Sequence, residues 1–264
     1  MSAIRAGASN ARSSVRRLHL QALLLASTVA LAAVTAVPVS AGATSTPNAV
    51  EFGGTAAVGA LFTTTANGKL ASHFCTGSVV DSPAGDLVVT AAHCVTGRSA
   101  KEMVFVPGYA NGKTPYGIWS VSQVIVDNAW ASTEDPNDDV AFLIVHEPKN
   151  TSSIQSMTGG EQLATGESCG QTVEVIGYPD TKTAPVSCEN VVLSFGSTQL
   201  EFKCGGYTTG TSGGPMLANV SEQTGIGTVI GVIGGYEQGG DTPSVSYAAK
   251  FKANVQALYE VAIT

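Results

Sequence analysis

Charge is scarce in this chain: 12% of its 264 residues are Asp, Glu, Lys or Arg, against 44% apolar. That balance lets the chain bury a core and excludes an intrinsically disordered protein. Basic residues are the scarcer sign, 13 Lys and Arg against 20 Asp and Glu for a net charge of −7. The counterion release that drives nucleic-acid binding is therefore lacking, and nucleic acid is not expected among the partners. Aromatic residues make up only 6%, whereas Gly, Ser, Thr and Val are plentiful, which leans towards β structure. Histidines and cysteines occur without metal-site spacing, so neither a metal nor an organic cofactor is expected.

Arg5, Arg12, Arg16 and Arg17 precede an apolar run from Leu18 to about Val39, and Ala41-Gly42-Ala43 supplies a small-x-small cleavage pattern. Residues 1–43 read as an export signal. The run is long enough to span a bilayer, so an uncleaved anchor is the competing reading. Its Ala, Thr and Val content and its small-residue end favour removal. The mature chain then has 221 residues with a net charge of −11 and is expected to be secreted, extracellular and free of the membrane. All five cysteines stay in it, an odd number for an oxidising compartment, so at least one is left over. Counting alone permits several pairings.

From Val58 the sequence breaks into short apolar or alternating runs bounded by Gly, Pro, Asn and Asp. Six predicted strands cover Val58 to Thr64, Phe74 to Val80, Leu87 to Thr90, Met103 to Val106, Val121 to Val126 and Val140 to Val145. A polar stretch, Glu147 to Gly160, interrupts the pattern and reads as a linker. Six more strands follow at Val173 to Gly177, Asn190 to Ser194, Gln199 to Cys204, Pro215 to Val220, Thr228 to Ile233 and Val245 to Ala249. Only at the end does the period change, where Phe251, Val255, Leu258 and Tyr259 share one face of a helix. No long helical pattern alternates with the strands, which excludes a βαβ fold. The expected architecture is all-β: two six-stranded antiparallel β-barrels, in residues 44–147 and 148–264, with a C-terminal helix.

Gly210-Thr211-Ser212-Gly213-Gly214-Pro215 places a serine between glycines, which permit a sharp turn and close approach of a substrate. By itself this fits the nucleophile elbow of α/β-hydrolases, the serine loop of chymotrypsin-like proteases, or a turn without chemistry. Chain order decides among them. His19, His73, His93 and His146 all precede Ser212, whereas an α/β-hydrolase needs its histidine after the serine. A subtilisin order lacks the helices that its fold requires, which leaves His, Asp, Ser.

Thr90-Ala91-Ala92-His93-Cys94, preceded by Leu87-Val88-Val89, resembles the TAAHC motif of the chymotrypsin-like (trypsin-like) serine proteases. Asp138-Asp139-Val140-Ala141-Phe142-Leu143 resembles that family's aspartate followed by an apolar strand, which selects Asp139 over Asp138. Val175-Ile176-Gly177-Tyr178-Pro179 and Phe202-Lys203-Cys204-Gly205-Gly206-Tyr207 are most similar to secreted bacterial members, the glutamyl-endopeptidase branch included. The resemblance spans about residues 52–260.

It implies a secreted serine endopeptidase acting on polypeptides, with Ser212 as nucleophile, His93 as general base and acid, and Asp139 holding the imidazole. The N–H groups of Gly210 and Ser212 take the oxyanion-hole positions. Cys75 and Cys94 are the expected bridge, Cys188 and Cys204 form the second close pair, and Cys169 is left over. A monomer is expected. A binding protein that kept the fold without catalysis, or an esterase using the same residues, are the alternatives.

This sequence departs from its relatives in three places. Thr211 stands where animal relatives carry the aspartate that pairs with the N-terminus freed by zymogen cleavage, so that ion pair is not expected. Gly206 stands where trypsins carry the aspartate that binds Arg or Lys, and Ile233 is nearest the position at which glutamyl-specific relatives use a histidine. Gly206, Gly234 and Gly235 are expected to line the substrate-binding strand and pocket, while His73 and His146 are expected to be structural.

Overall fold

Valine-rich runs become strands because β-branched side chains pack well on a pleated, half-buried surface. In the computed structural model, which describes residues 46–147, 151–166 and 169–264, the chain enters through a two-residue strand, β1 (Val50–Glu51). The next six strands are β2 (Val58–Thr64), β3 (Leu70–Val79), β4 (Leu87–Thr90), β5 (Met103–Pro107), β6 (Trp119–Val126) and β7 (Ala141–His146). They close into an antiparallel barrel in the order β2-β3-β4-β7-β6-β5. Closure leaves no sheet edge open. Gly59 and Gly77 let the walls meet: a Cβ at Gly59 would lie 2.4 Å from the Val106 carbonyl oxygen.

The second half holds β8 (Gln162–Leu163), β9 (Thr172–Gly177), β10 (Val186–Phe195), β11 (Gln199–Lys203), β12 (Pro215–Ala218), β13 (Thr228–Val232) and β14 (Val245–Ala249). They run in the order β14-β11-β10-β9-β12-β13-β8, and β1 adds to β10. The six predicted strands are β9 to β14; the additions are the two-residue strands β1 and β8, of which β8 pairs with β13 in parallel. Just past β13, the Gly234 N–H donates to the Tyr247 carbonyl of β14 at 3.0 Å, which curls the sheet towards itself.

Among the described residues, three short α-helices accompany the strands: α1 (Asn128–Thr133), α2 (Ile154–Thr158) and α3 (Ala253–Ala262). Asp127 caps α1 by accepting from the Ala129 N–H, and α1 buries Trp130. The stretch read as a linker contains α2, which Ser153 caps and which buries Ile154 and Thr158; residues 148–150 of it lie outside the described residues. Gln155 fastens α2 to the first barrel, its Oε1 accepting from the Ser82 N–H at 3.0 Å and its N–H donating to the Gly85 carbonyl at 3.0 Å. At the C-terminus, Phe251, Val255 and Leu258 are buried as the periodicity requires. The Tyr259 ring meets Phe142 of β7 edge-on at 5.9 Å, so the last helix returns to the first barrel.

Both expected bridges are present, Cys75–Cys94 and Cys188–Cys204, and Cys169 is free and exposed. Loops of this length are each worth about 3 kcal/mol in the chain-entropy account. The predicted export signal lies outside the described residues.

Candidate active site

Thr90 of β4 pairs with Ala141 of β7, so the residues that follow β4 and those that precede β7 emerge from one end of the barrel. His93 lies three residues beyond Thr90, and Asp139 two residues before Ala141. This pairing brings them together across 46 positions of sequence. His93 Nδ1 lies 2.8 Å from Asp139 Oδ2, and the His93 backbone N–H donates to Asp139 Oδ1 at 2.8 Å. The Gly235 N–H adds a third bond, to Oδ2 at 2.7 Å. Asp139 is 1% exposed. A carboxylate at Nδ1 keeps the ring proton on that nitrogen and leaves Nε2 with a lone pair.

Its neighbour turns elsewhere. Asp138 accepts from Asn254 Nδ2 at 2.6 Å at the start of α3. Burial pushes its carboxyl above the ordinary range, with the Asn254 bond opposing. Of the two carboxylates, Asp139 is the one that meets His93.

Ser212 sits half-buried on the turn between β11 and β12. Almost every polar backbone group of that turn has a fixed partner. The Thr209 carbonyl accepts from the Asp180 N–H at 2.8 Å and the Gly210 carbonyl from Thr76 Oγ1 at 3.0 Å. The Ser212 carbonyl accepts from the Thr76 N–H at 2.7 Å, and the Gly213 N–H donates to the Ile233 carbonyl at 2.7 Å. Thr211, the residue in place of the family aspartate, is buried and donates its hydroxyl to the Thr208 carbonyl at 2.7 Å. The N–H groups of Gly210 and Ser212 donate to no group among the described residues. Two undonated N–H groups, one residue apart on the turn, suit an incoming oxyanion.

Glycine is required at this turn. Gly210 and Gly213 have φ of +94° and +78°, and a Cβ at Gly213 would lie 2.2 Å from both the Thr76 carbonyl oxygen and Thr90 Oγ1. Replacing Gly213 by Ala is expected to lower stability by more than about 1 kcal/mol, since both the backbone conformation and the space exclude a side chain. Urea unfolding of the variant checks this, and an unchanged midpoint would contradict it.

His93 and Ser212 line one cleft of about 510 Å³. Phe74 and Arg98 form part of its wall, the guanidinium 4.0 Å above the ring, and Glu237 and Asp241 form another. Tyr207, Thr208, Ile233 and Ser246 supply uncharged lining. Three potential metal donors meet at Cys75, His93 and Cys94, but both sulfurs are tied in the disulfide and cannot ligate as thiolates.

The three glycines assigned to substrate binding adjoin residues of the cleft wall, Gly206 preceding Tyr207 and Gly234 and Gly235 following Ile233. Gly206 is exposed beside Ala49 and does not line the cleft, where its neighbour Tyr207 does. Gly234 and Gly235 are buried behind the acid. A Cβ at Gly234 would come 2.8 Å from Asp139 Oδ2, and Gly235 binds that same oxygen. Outside the cleft, His73 packs among Phe62, Tyr109 and Tyr178, with Nε2 2.9 Å from the Pro179 carbonyl oxygen, whereas His146 is exposed at the end of β7. Thr76 and the Asp180 N–H, which brace the serine turn, carry no sequence signal of their own.

A closed β-barrel, a second sheet of the same texture and a cleft that holds histidine and serine define a protein of the chymotrypsin-like serine protease class. The family model described as Trypsin matches residues 51–255, and the chain belongs to that family as a serine endopeptidase. Among solved structures, protease Anisep from Arthrobacter nicotinovorans is 24% identical with a TM-score of 0.68, covering 81% of this chain and 98% of that one. A thermostable serine protease, AL20, from an extremophilic microorganism is 26% identical with a TM-score of 0.67, over 79% of this chain and 97% of that one. A Glu endopeptidase shares the fold at 16% identity and a TM-score of 0.63, over 82% of this chain and 96% of that one. No curated protein matches the chain in sequence.

Proposed function

We propose that the protein is an exported endopeptidase that cleaves polypeptides through Ser212, His93 and Asp139. The observation that carries this is the shared cleft: His93, held at Nδ1 by Asp139, lines it together with a serine whose turn leaves two N–H groups undonated. Ser212 Oγ attacks the scissile carbonyl carbon as its proton passes to His93 Nε2. The carbonyl oxygen becomes an oxyanion held by the Gly210 and Ser212 N–H groups, where one such donor is worth about 3 kcal/mol. His93 returns the proton to the leaving amine as the C–N bond breaks. Water, deprotonated by His93, then releases the acyl group from Ser212. Asp139 keeps its negative charge throughout and stabilises the imidazolium.

The two disulfides support an oxidising destination, with residues 1–43 as the signal removed on export and 44–147 and 148–264 as the two barrel units. Gly206 supplies no carboxylate at the position trypsins use, and Ile233 rather than a histidine lines the cleft, so neither a tryptic nor a glutamyl preference follows from the family positions. Replacing Ser212 by Ala is expected to abolish covalent labelling by a fluorophosphonate and hydrolysis of casein while leaving the melting temperature intact. Equal labelling of the variant would overturn the assignment.

A further inference from the structure

The serine turn is braced from the other half of the molecule by a single threonine. Thr76, fully buried on β3, uses its hydroxyl and both backbone groups. Its hydroxyl donates to the Gly210 carbonyl at 3.0 Å and accepts from the Tyr178 N–H at 2.9 Å. Its own N–H donates to the Ser212 carbonyl at 2.7 Å, and its carbonyl accepts from Thr90 Oγ1 at 2.7 Å. Thr90 ends the strand that leads to His93. One residue thus joins the base's strand to the turn carrying the nucleophile.

The geometry bears on the two undonated N–H groups. A peptide unit is planar, so fixing its carbonyl fixes the N–H at its other end. The Asp180 N–H fixes the Thr209–Gly210 peptide through its carbonyl, and with it the Gly210 N–H. The next peptide, Gly210–Thr211, lies between the two undonated N–H groups, and Thr76 Oγ1 holds its carbonyl. The Thr211–Ser212 peptide, which carries the Ser212 N–H, is held through the Thr211 carbonyl by the Gly214 N–H at 2.9 Å, and the peptide after Ser212 is held by the Thr76 N–H. The Thr211 N–H at the far end of the Gly210–Thr211 peptide donates within the turn to the Thr208 carbonyl at 3.1 Å, and Gly210 at φ +94° has no Cβ to restrict it, so Thr76 Oγ1 is the partner that ties this peptide to the first barrel. We infer that Thr76 is a positioning residue for the oxyanion hole, its hydroxyl locking the peptide between the two donors. This rests on the assignment of Gly210 and Ser212 as those donors.

The test compares Thr76→Val, which keeps the shape and deletes the hydroxyl, with Thr76→Ser, which keeps the hydroxyl. Removing a donor outright from an oxyanion hole lowers kcat by about 10²- to 10³-fold, so loosening the peptide that sets the two donors relative to each other in Thr76→Val is expected to lower kcat by about 10- to 100-fold. KM should stay within about threefold, because the ground-state carbonyl draws less on the hole than the oxyanion does. Affinity for a peptide aldehyde, whose adduct places an oxygen in the hole, should fall in proportion to kcat. Thr76→Ser should restore most of the loss, a rescue that lost packing alone would not produce. Thr76→Ala takes the place of the valine variant if the latter does not fold.

Wild-type kcat in a folded Thr76→Val or Thr76→Ala overturns the inference, as does a loss confined to KM or an equal loss in Thr76→Ser. Fluorophosphonate labelling of Ser212 should persist in all three variants. Failure of the Ser212→Ala control instead overturns the catalytic assignment itself, so the two failures are distinguishable.

Discussion

Replacing Asp139 by Asn is expected to lower kcat on a peptide substrate by about 10⁴-fold, the drop characteristic of this change in a Ser-His-Asp triad. The surroundings of the side chain explain why an amide cannot serve. Three N–H groups converge on it, from the His93 backbone, His93 Nδ1 and Gly235, and all three need acceptors. An asparagine offers one oxygen and one amide nitrogen. If the nitrogen takes the place of Oδ2, it opposes the Gly235 N–H and forces His93 Nδ1 to accept, which moves the ring proton to Nε2 and removes the base. If it takes the place of Oδ1, the tautomer survives but the amide confronts the His93 backbone N–H. In both orientations the negative charge opposite the developing imidazolium is gone. An N–H left without an acceptor in a site this buried costs about 1 to 3 kcal/mol, so a lower melting temperature should accompany the loss. Single-turnover kinetics on a folded sample check the rate, and a variant within tenfold of wild type would remove Asp139 from the mechanism.

Much of this site was legible because its residues sit at strand ends. The run Leu87-Val88-Val89-Thr90 predicts β4, Ala141-Phe142-Leu143 predicts β7, and antiparallel pairing of such runs delivers the flanking His93 and Asp139 to one place. The strands themselves were readable to within a few residues, since alternation and turn residues are local properties. Their additions were not: β1 and β8 are two residues long and exist only through their partners.

Contacts between distant segments left no local trace. Thr76 and Gly210 are 134 residues apart, and a threonine within a strand reads as an ordinary strand residue. The surroundings of the glycines are hidden for the same reason. Gly234 and Gly235 follow β13, where a substrate edge was expected, but a β period says nothing about which neighbour needs the room. Here the neighbour is Asp139. Gly206 was placed by counting back from Ser212, and the adjacent Tyr207 lines the cleft. Its hydroxyl continues past the cleft to donate to the Val175 carbonyl at 2.6 Å.

Glu161, the residue just past the polar stretch that reads as a linker, is expected to make stability depend steeply on pH. The residue is fully buried at the seam between the two halves: its N–H donates to the Val79 carbonyl at 2.9 Å, and its carbonyl accepts from the Asp81 N–H at 2.9 Å. One carboxyl oxygen accepts from the Gly227 N–H, and the other has no partner. Burial, opposed by the Gly227 bond and aided by the charge of Glu174, pushes the carboxyl from its ordinary 4.5 up to about 8. The folded protein therefore keeps its proton at neutral pH, while the unfolded chain loses it above pH 4.5. Because the folded state binds the extra proton, this contribution is fully present below pH 4.5, falls as pH rises, and is lost beyond about pH 8. At about 1.4 kcal/mol per pH unit, the whole decline is about 4 to 5 kcal/mol. Glu161→Gln, neutral at every pH, should accept from the Gly227 N–H as the protonated acid does, yet show no such decline. Urea unfolding from pH 5 to 9, in an Ser212→Ala background that prevents self-digestion, should give curves that are close at pH 5 and diverge in favour of the glutamine above pH 8. Parallel curves, or a glutamate protein that gains stability over this range, would show that the carboxyl is ionised in the fold.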